Sequence, residues 1–273
     1  MTTPAAPLSG LAGRFLALHD GDRPLLQPNA HDVGTARLLE SLGFDAIATT
    51  SGGFAATLGR VDGGVNRDET LAHAAQLAAA VTIPVAADTE NCFADDPAGV
   101  AETVRLAADT GIAGCSVEDW SGAELYDLAL ATERVAAAVE AGHRGPQQLV
   151  ITARAENHIH GRDDLADTIA RLQAYQEAGA DALFAPGVVD LDDIRSVVTS
   201  VDRPVNVLAF PGAPSVDELA SVGVARVSIG GAWAFAALGA VIDAATELRD
   251  KGTYGWWDQV VASRRTIRDA FSR

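Results

Sequence analysis

Residues Glu177–Gly187 read EAGADALFAPG, and the fold turns on how this stretch is read. A polar, helix-forming run stops at Gly179, an apolar run Ala182–Phe184 begins three residues later, and Pro186-Gly187 ends it. A glycine just past a helix, followed by a short run with no polar alternation, is the joint between a helix and a strand covered on both faces. Variants of the same joint recur at Leu42-Gly43-Phe44-Asp45-Ala46, Thr110-Gly111-Ile112-Ala113-Gly114 and Val222-Gly223-Val224-Ala225-Arg226.

Working outward from these joints, eight short apolar runs are expected as strands: Leu25–Gln27, Ala46–Thr49, Pro84–Ala87, Gly114–Val117, Leu149–Ala153, Ala182–Phe184, Val205–Leu208 and Arg226–Ile229. Between them, helical spacing of apolar residues predicts helices over Val33–Leu42, Glu69–Ala80, Pro97–Asp109, Leu125–Ala141, Leu165–Glu177, Leu191–Thr199, Ser215–Ser221 and Trp233–Leu248. Further helices are expected near Leu11–His19 and Trp256–Phe271. Asp96-Pro97 reads as a cap followed by proline in the first turn, and Ser215 with Glu218 as a capping box. Without an internal linker, residues 1–273 are expected to form a single domain, an α/β (β/α)8 TIM barrel. A nucleotide fold is disfavoured: there is no G-x-G-x-x-G or P-loop, and Gly52-Gly53 and Gly63-Gly64 are read as isolated pairs without a strand–loop–helix context.

The chain has 273 residues, 48% of them hydrophobic, and a net charge of −17. Such a charge offers no surface for phosphate backbones, and the scattered basic residues offer none for anionic lipid, so neither nucleic acid nor membrane is an expected partner. Cys92 and Cys115 make neither a disulfide framework nor a zinc pattern. The opening residues MTTPAAPLSGLAGRFLALHDGDRP lack the charge and apolar run of a secretory signal, and a cytoplasmic location is expected.

Chemistry in a barrel gathers at the carboxyl ends of the strands. Here those tips carry Thr50-Ser51-Gly52-Gly53 with Asp62 beyond it, Asp88-Thr89-Glu90-Asn91, Glu118-Asp119, Arg154-Ala155-Glu156-Asn157, Pro186-Gly187, and Asn206 within the seventh strand. Asp88 and Glu118 on neighbouring strands suit a hard divalent ion that keeps several waters. Arg154 suits a bidentate contact to a carboxylate or phosphonate, the competing role being an ion pair with Glu118 or Glu156. Ser51 with the Gly52 and Gly53 amides could receive a substrate carboxylate. Asp95 and Asp96 read as loop and cap residues, His158 and His160 as exposed loop histidines, Cys92 as a buried, inert thiol and Cys115 as core.

At these positions the sequence resembles the isocitrate lyase / phosphoenolpyruvate mutase family over nearly its whole length. Ser51-Gly52-Gly53 is similar to the family's Ser-Gly-Leu segment, Leu58-Gly59-Arg60-Val61-Asp62 to its Leu-Gly…Asp phrase, and Asp88-Thr89-Glu90 to the start of Asp-Ala-Asp-x-Gly-Tyr-Gly. Val117-Glu118-Asp119 is similar to Ile-Glu-Asp, Arg154 to the strand-five Arg and Asn206 to the strand-seven Asn of the lyases. The resemblance implies Mg2+ (or Mn2+) on Asp88 with Glu90 and Glu118 helping directly or through water. It implies a 2-oxo acid end held by Ser51, Gly52, Gly53, Arg154 and Asn206, with Arg154, Glu118 and Asp62 as catalytic groups. It also implies a small carboxylate substrate, an enolate, and a homo-oligomer, dimer or tetramer, in which the Trp256–Phe271 helix is exchanged between subunits.

The sequence departs from the family in three places. The lyases' Lys-Cys-Gly-His after Glu-Asp is replaced by WSGAELYDLALATER, which argues against isocitrate or methylisocitrate cleavage by that route. The mutases' strand-six His is replaced by Phe184-Ala185-Pro186-Gly187, and Gly-Tyr-Gly by Cys92-Phe93-Ala94. The leading expectation is a Mg2+-dependent lyase of a 2-oxo or 2-hydroxy acid. A phosphonopyruvate mutase or hydrolase, which needs a further cation such as Arg162 or Arg195 near strand six, and a non-catalytic oxo-acid-binding barrel are the alternatives.

Overall fold

A computed structural model describes residues 8–272. The first seven residues of the opening stretch and Arg273 lie outside it. Eight parallel strands, β1 (Leu25–Gln27), β2 (Ile47–Ala48), β3 (Val85–Ala87), β4 (Gly114–Glu118), β5 (Val150–Arg154), β6 (Ala182–Phe184), β7 (Val205–Leu208) and β8 (Arg226–Ser228), pair in the order β1-β8-β7-β6-β5-β4-β3-β2. The ring closes between β1 and β2 just beyond β1, where a parallel bridge joins Asn29 to Ala48 and the Ala30 amide donates to the Ala48 carbonyl at 2.7 Å. This is the expected (β/α)8 barrel.

The helices are α1 (Gly10–Ala17), α2 (Val33–Ser41), α3 (Ser51–Thr57), α4 (Arg67–Ala80), α5 (Pro97–Ala108), α6 (Leu128–Arg144), α7 (Leu165–Glu177), α8 (Leu191–Thr199), α9 (Val216–Ser221), α10 (Ala232–Lys251) and α11 (Trp257–Phe271). Their starts follow from capping chemistry: Asp32, Asp96, Asp127, Asp164 and Asp190 each accept a first-turn amide, and Asn66 with Glu69 and Ser215 with Glu218 form capping boxes. The repeated helix-to-strand joint uses glycine for a stereochemical reason, since Gly179 sits at φ 101° and Gly223 at φ 85°, where a side chain is strained.

Two expectations fail here. The Gly52-Gly53 pair does have a strand–loop–helix setting, because α3 begins at Ser51 directly after β2. The helix expected from Leu125 begins at Leu128 instead, because Leu125 bridges back to Trp120 and Asp127 spends its carboxylate capping the Leu130 amide at 3.0 Å.

Most of the apolar core lies between strands and helices, in one cluster around Ile47, Leu77, Val104, Ile112 and Ile151 and another around Leu172, Tyr175, Leu183, Val205 and Leu219. A smaller cluster stoppers the amino end of the barrel, where Phe15 of α1 packs with Leu25, Ala46, Ala113 and Val150. The barrel lumen above Phe15 holds a cavity of about 460 Å3, in which Gln27, Asn29, Thr49, Ser116, Thr152, Asn206, Arg226 and Ser228 stand among a largely apolar lining that includes Phe184, Leu208 and Ile229. At the other edge, α11 packs on α2 of its own chain, with the Phe271 ring beside Gly34. Among the described residues no helix is long and apolar enough to cross a membrane.

Candidate functional site

β3 delivers Asp88 to the rim of the cavity, where its amide donates to Thr49 Oγ1 at 2.9 Å. Asp88 Oδ2 accepts the Ser51 amide at 3.0 Å, so the carboxylate sits on the first turn of α3 and complements that end of the helix. Thr50 Oγ1 caps the same turn by accepting the Gly53 amide at 3.2 Å. Of the two amides expected to cradle a carboxylate beside Ser51, that of Gly53 is therefore engaged within the protein, as is the Ser51 amide, and the Gly52 amide finds no acceptor among the described residues. A Cβ at Gly52 would lie 3.1 Å from Asp62 Oδ2, so a side chain there would displace the exposed Asp62 carboxylate slightly. Asp62 itself stays exposed at the rim, accepting the Gly63 amide.

Asp88 and Glu118 converge on Arg154, which takes the ion-pair role that competes with substrate binding. Its Nη1 lies 3.2 Å from Asp88 Oδ1 and 2.7 Å from Glu118 Oε1, while its Nε donates to Glu156 Oε1 at 2.7 Å. The guanidinium also lies over the Phe184 ring at 5.0 Å. Burial of Glu118 and Glu156 pushes both carboxyls up, Arg154 opposes this, and the neighbouring carboxylates add to it. Glu90 rises to about 7, through burial first and then the charges of Asp88 and Asp62. Three of these groups, Asp62, Asp88 and Arg154, border the cavity.

Five carboxyl groups, Asp62, Asp88, Glu90, Glu118 and Glu156, accompany one guanidinium, and a divalent cation would favour the ionised form of those that burial and mutual repulsion push up. Among the described residues no group of three or more His, Cys, Asp or Glu side chains is placed to hold a metal ion, so the protein itself would offer one or two carboxylates. Such a donor set fits Mg2+, which takes one or two carboxylates and fills its remaining positions with water or substrate oxygens.

The loop after β3 carries backbone strain. Glu90, Cys92 and Phe93 adopt φ of 49°, 60° and 56° without being glycine, each at a cost of order 1 kcal/mol or more. Arg134 of α6, fully buried, holds this shape: it donates to the Asn91 and Ala94 carbonyls at 2.6 and 2.9 Å and to the Glu118 carbonyl at 2.9 Å. The single side chain thus ties the Asp88–Glu90 loop to the tip of β4. Asp119 is structural, accepting the Glu156 amide at 2.8 Å, Arg171 Nη1 at 3.0 Å and the Tyr175 hydroxyl at 2.5 Å.

Asn206 lies deeper, 2% exposed, with its amide donating to Ser228 Oγ at 2.9 Å. Its Oδ1 accepts Arg226 Nε at 3.0 Å, which brings in a residue the sequence reading missed. Arg226 opens β8 and is 4% exposed. Its other contacts are Thr152 Oγ1 and His19 Nε2, both at 3.2 Å. Burial lowers its pKa to about 10 and that of His19 to about 4, the Arg226 charge assisting at His19. The available signal was an arginine opening an otherwise apolar strand.

Of the remaining residues, Cys92 and Cys115 are buried, and burial pushes the Cys92 thiol up to about 12, so it is inert. His160 is exposed and stacks on Trp120 at 3.7 Å, whereas His158, expected to be exposed, is packed against Gly187 with a side chain only 9% exposed. Asp96 caps α5, and Asp95 accepts the Tyr126 hydroxyl. Arg195 pairs with Asp192 of its own helix, and neither it nor Arg162 borders the cavity.

A family model described as phosphoenolpyruvate phosphomutase matches residues 15–249. A crystal structure from Burkholderia cenocepacia, classed as a lyase or mutase, superposes with a TM-score of 0.92 at 49% identity and covers 96% of each chain. The 2-methylisocitrate lyase of Escherichia coli is 30% identical over 77% of this chain and 75% of its own. A phosphonopyruvate hydrolase, crystallised with oxalate and Mg2+, has a TM-score of 0.84 at 25% identity over 97% of this chain and 95% of its own. The chain belongs to the isocitrate lyase / phosphoenolpyruvate mutase family.

Proposed function

We propose that this barrel is a Mg2+-dependent lyase of a small 2-oxo or 2-hydroxy carboxylic acid, acting by carbon–carbon cleavage or by decarboxylation of an oxaloacetate-like substrate. The observation that carries the reading is the meeting of Asp88, Glu118 and Arg154 beside one cavity that Asp88 and Arg154 border, with several carboxyl groups to one guanidinium. The Mg2+ and oxalate bound by the phosphonopyruvate hydrolase support it.

Bound Mg2+, or Mn2+ in its place, would offset the negative charge that develops on the enolate oxygen. Asp88 would hold it, with Glu90 and Glu118 contributing directly or through water. Arg154, whose Nε is held by Glu156 and whose Nη1 faces Asp88 and Glu118, would receive the substrate carboxylate through Nη2. The first turn of α3, with Ser51, Gly52 and Gly53, would flank the same end, Asp62 would stand at the rim, and Asn206 would contact the substrate from the wall. The whole chain is proposed to work as one domain in a cytoplasmic homo-oligomer, with α11 available for exchange between subunits.

The test is turnover of a panel of 2-oxo and 2-hydroxy acids with Mg2+. The expected result is activity that chelation abolishes and that Asp88→Ala lowers by roughly 10²–10³-fold. Acids that bind without ever being converted would leave a binding barrel and remove the lyase reading. The phosphonopyruvate alternative has no strand-six cation to support it; phosphorus NMR of that compound with the loaded protein checks it.

A further inference from the structure

The depth of the cavity carries a second inference, which rests on the oxo-acid reading above. Arg226 is a buried cation without a counter-ion: among the described residues no carboxylate lies within ion-pair distance of it. Every partner it has is neutral. Asn206 Oδ1 and Thr152 Oγ1 are uncharged, and neutral His19 accepts the Arg226 N–H hydrogen bond on Nε2 because its Nδ1 donates to the Leu16 carbonyl at 3.0 Å. A guanidinium has five N–H donors, and these three contacts leave two without an acceptor. Burying a full charge with only neutral partners is unfavourable, and the balance is restored when an anion completes the site.

The position of Arg226 says where that anion would come from. Arg226 borders the same cavity as Arg154. Thr152 and Arg154 are two residues apart on β5 and both border the cavity, about 6–7 Å of strand rise apart, so the Arg226 guanidinium, bonded to Thr152, lies at the layer below the one from which Arg154 springs. Ser228 accepts from the Asn206 amide, which leaves the Ser228 hydroxyl hydrogen free to be donated beside Arg226.

We propose that Arg226 is a second anion-recognising residue, and that the cavity takes a short 2-oxo or 2-hydroxy dicarboxylate whose oxo or hydroxy acid end lies at Arg154 and whose distal carboxylate reaches inward to Arg226 and Ser228. Asn206 then acts as a hinge between the two, holding Nε of Arg226 with its oxygen and Ser228 with its nitrogen. The same geometry would reject a chain of equal length that ends in a methyl group, because the methyl would leave the guanidinium unpaired.

The experiment uses the intact, Mg2+-loaded protein and two matched pairs, 2-oxoglutarate against 2-oxopentanoate and malate against 2-hydroxybutanoate, each pair differing only in the distal carboxylate. Dissociation constants are measured by calorimetry. Wild-type protein is expected to prefer the diacid in at least one pair by roughly 10- to 100-fold, the scale of a hydrogen-bonded charge contact. Arg226→Met should bring that ratio close to one while the monoacid binds as before, and Arg226→Lys should retain part of it. A wild-type ratio near one in both pairs, or a ratio that survives Arg226→Met, overturns the proposal. Equal loss of diacid and monoacid in Arg226→Met overturns it too, and makes Arg226 a strut. If the Met variant does not fold, the wild-type ratios and the Lys variant decide. If neither member of either pair binds, the oxo-acid reading itself falls, an outcome distinct from one in which monoacids bind and Arg226 is indifferent.

Discussion

Arg154 and Arg226 face the same cavity one layer apart, and their surroundings are opposite. Arg154 is crowded by Asp88, Glu118 and Glu156, and these charges raise its pKa. Arg226 has an amide, a hydroxyl and a neutral imidazole, and burial alone lowers its pKa. The rim therefore gathers several carboxyl groups around one cation, and the floor has a positive charge with nothing to balance it. A cation is wanted above and an anion below, which gives the cavity a polarity along its axis before any ligand enters.

Removing each arginine in turn should separate the two environments. Arg154→Met leaves three buried carboxylates facing one another, and breaking a buried pair in this way costs about 3–5 kcal/mol. Chemical denaturation at neutral pH in the absence of metal is expected to show a loss of that size. A loss below about 1 kcal/mol would mean that the acids are held apart by something other than Arg154.

Arg226→Met, by contrast, orphans only neutral groups and removes a desolvated charge, so the same measurement should give a smaller loss of about 1–2 kcal/mol. An equal or larger loss than at Arg154 would erase the contrast.

The smallest effect is on pH dependence. The Glu90 carboxyl, raised to about 7, holds its proton more tightly folded than unfolded. Its contribution is present below the unfolded value and lost as the pH rises through about 7, so the metal-free protein should lose stability across that window. Glu90→Gln should flatten this slope. His19, lowered to about 4, contributes with the opposite sign: its stabilisation is lost as the pH falls toward 4. Melting temperatures from pH 4 to 8 in wild type and Glu90→Gln check both limbs.

The barrel could be read from the sequence because its signals are local. A glycine joint, a cap and an apolar run each sit within a few residues, and all eight strands fall where those signals place them. Helix α3 could not be read in this way. Its sequence SGGFAAT has neither helical periodicity nor good propensity, and it is held by the Thr50 cap and by Asp88, which lies 37 residues away. The rim acids were visible as polar residues at strand tips. That Asp88 and Glu118 would share the Arg154 guanidinium was not, because the competing ion pairs differ only in distances set by tertiary packing. Arg226 escaped because it opens its strand, whereas a search for chemistry in a barrel looks where strands end.

Arg134 has a consequence for anyone mapping this protein by random mutagenesis. Its one guanidinium links the backbone of the Asp88–Glu90 loop to the carbonyl of Glu118. A substitution there would scatter the acids of two strands at once and score like a double knockout of the reaction centre. The residue belongs to the chassis, and a genetic screen alone would file it with the engine.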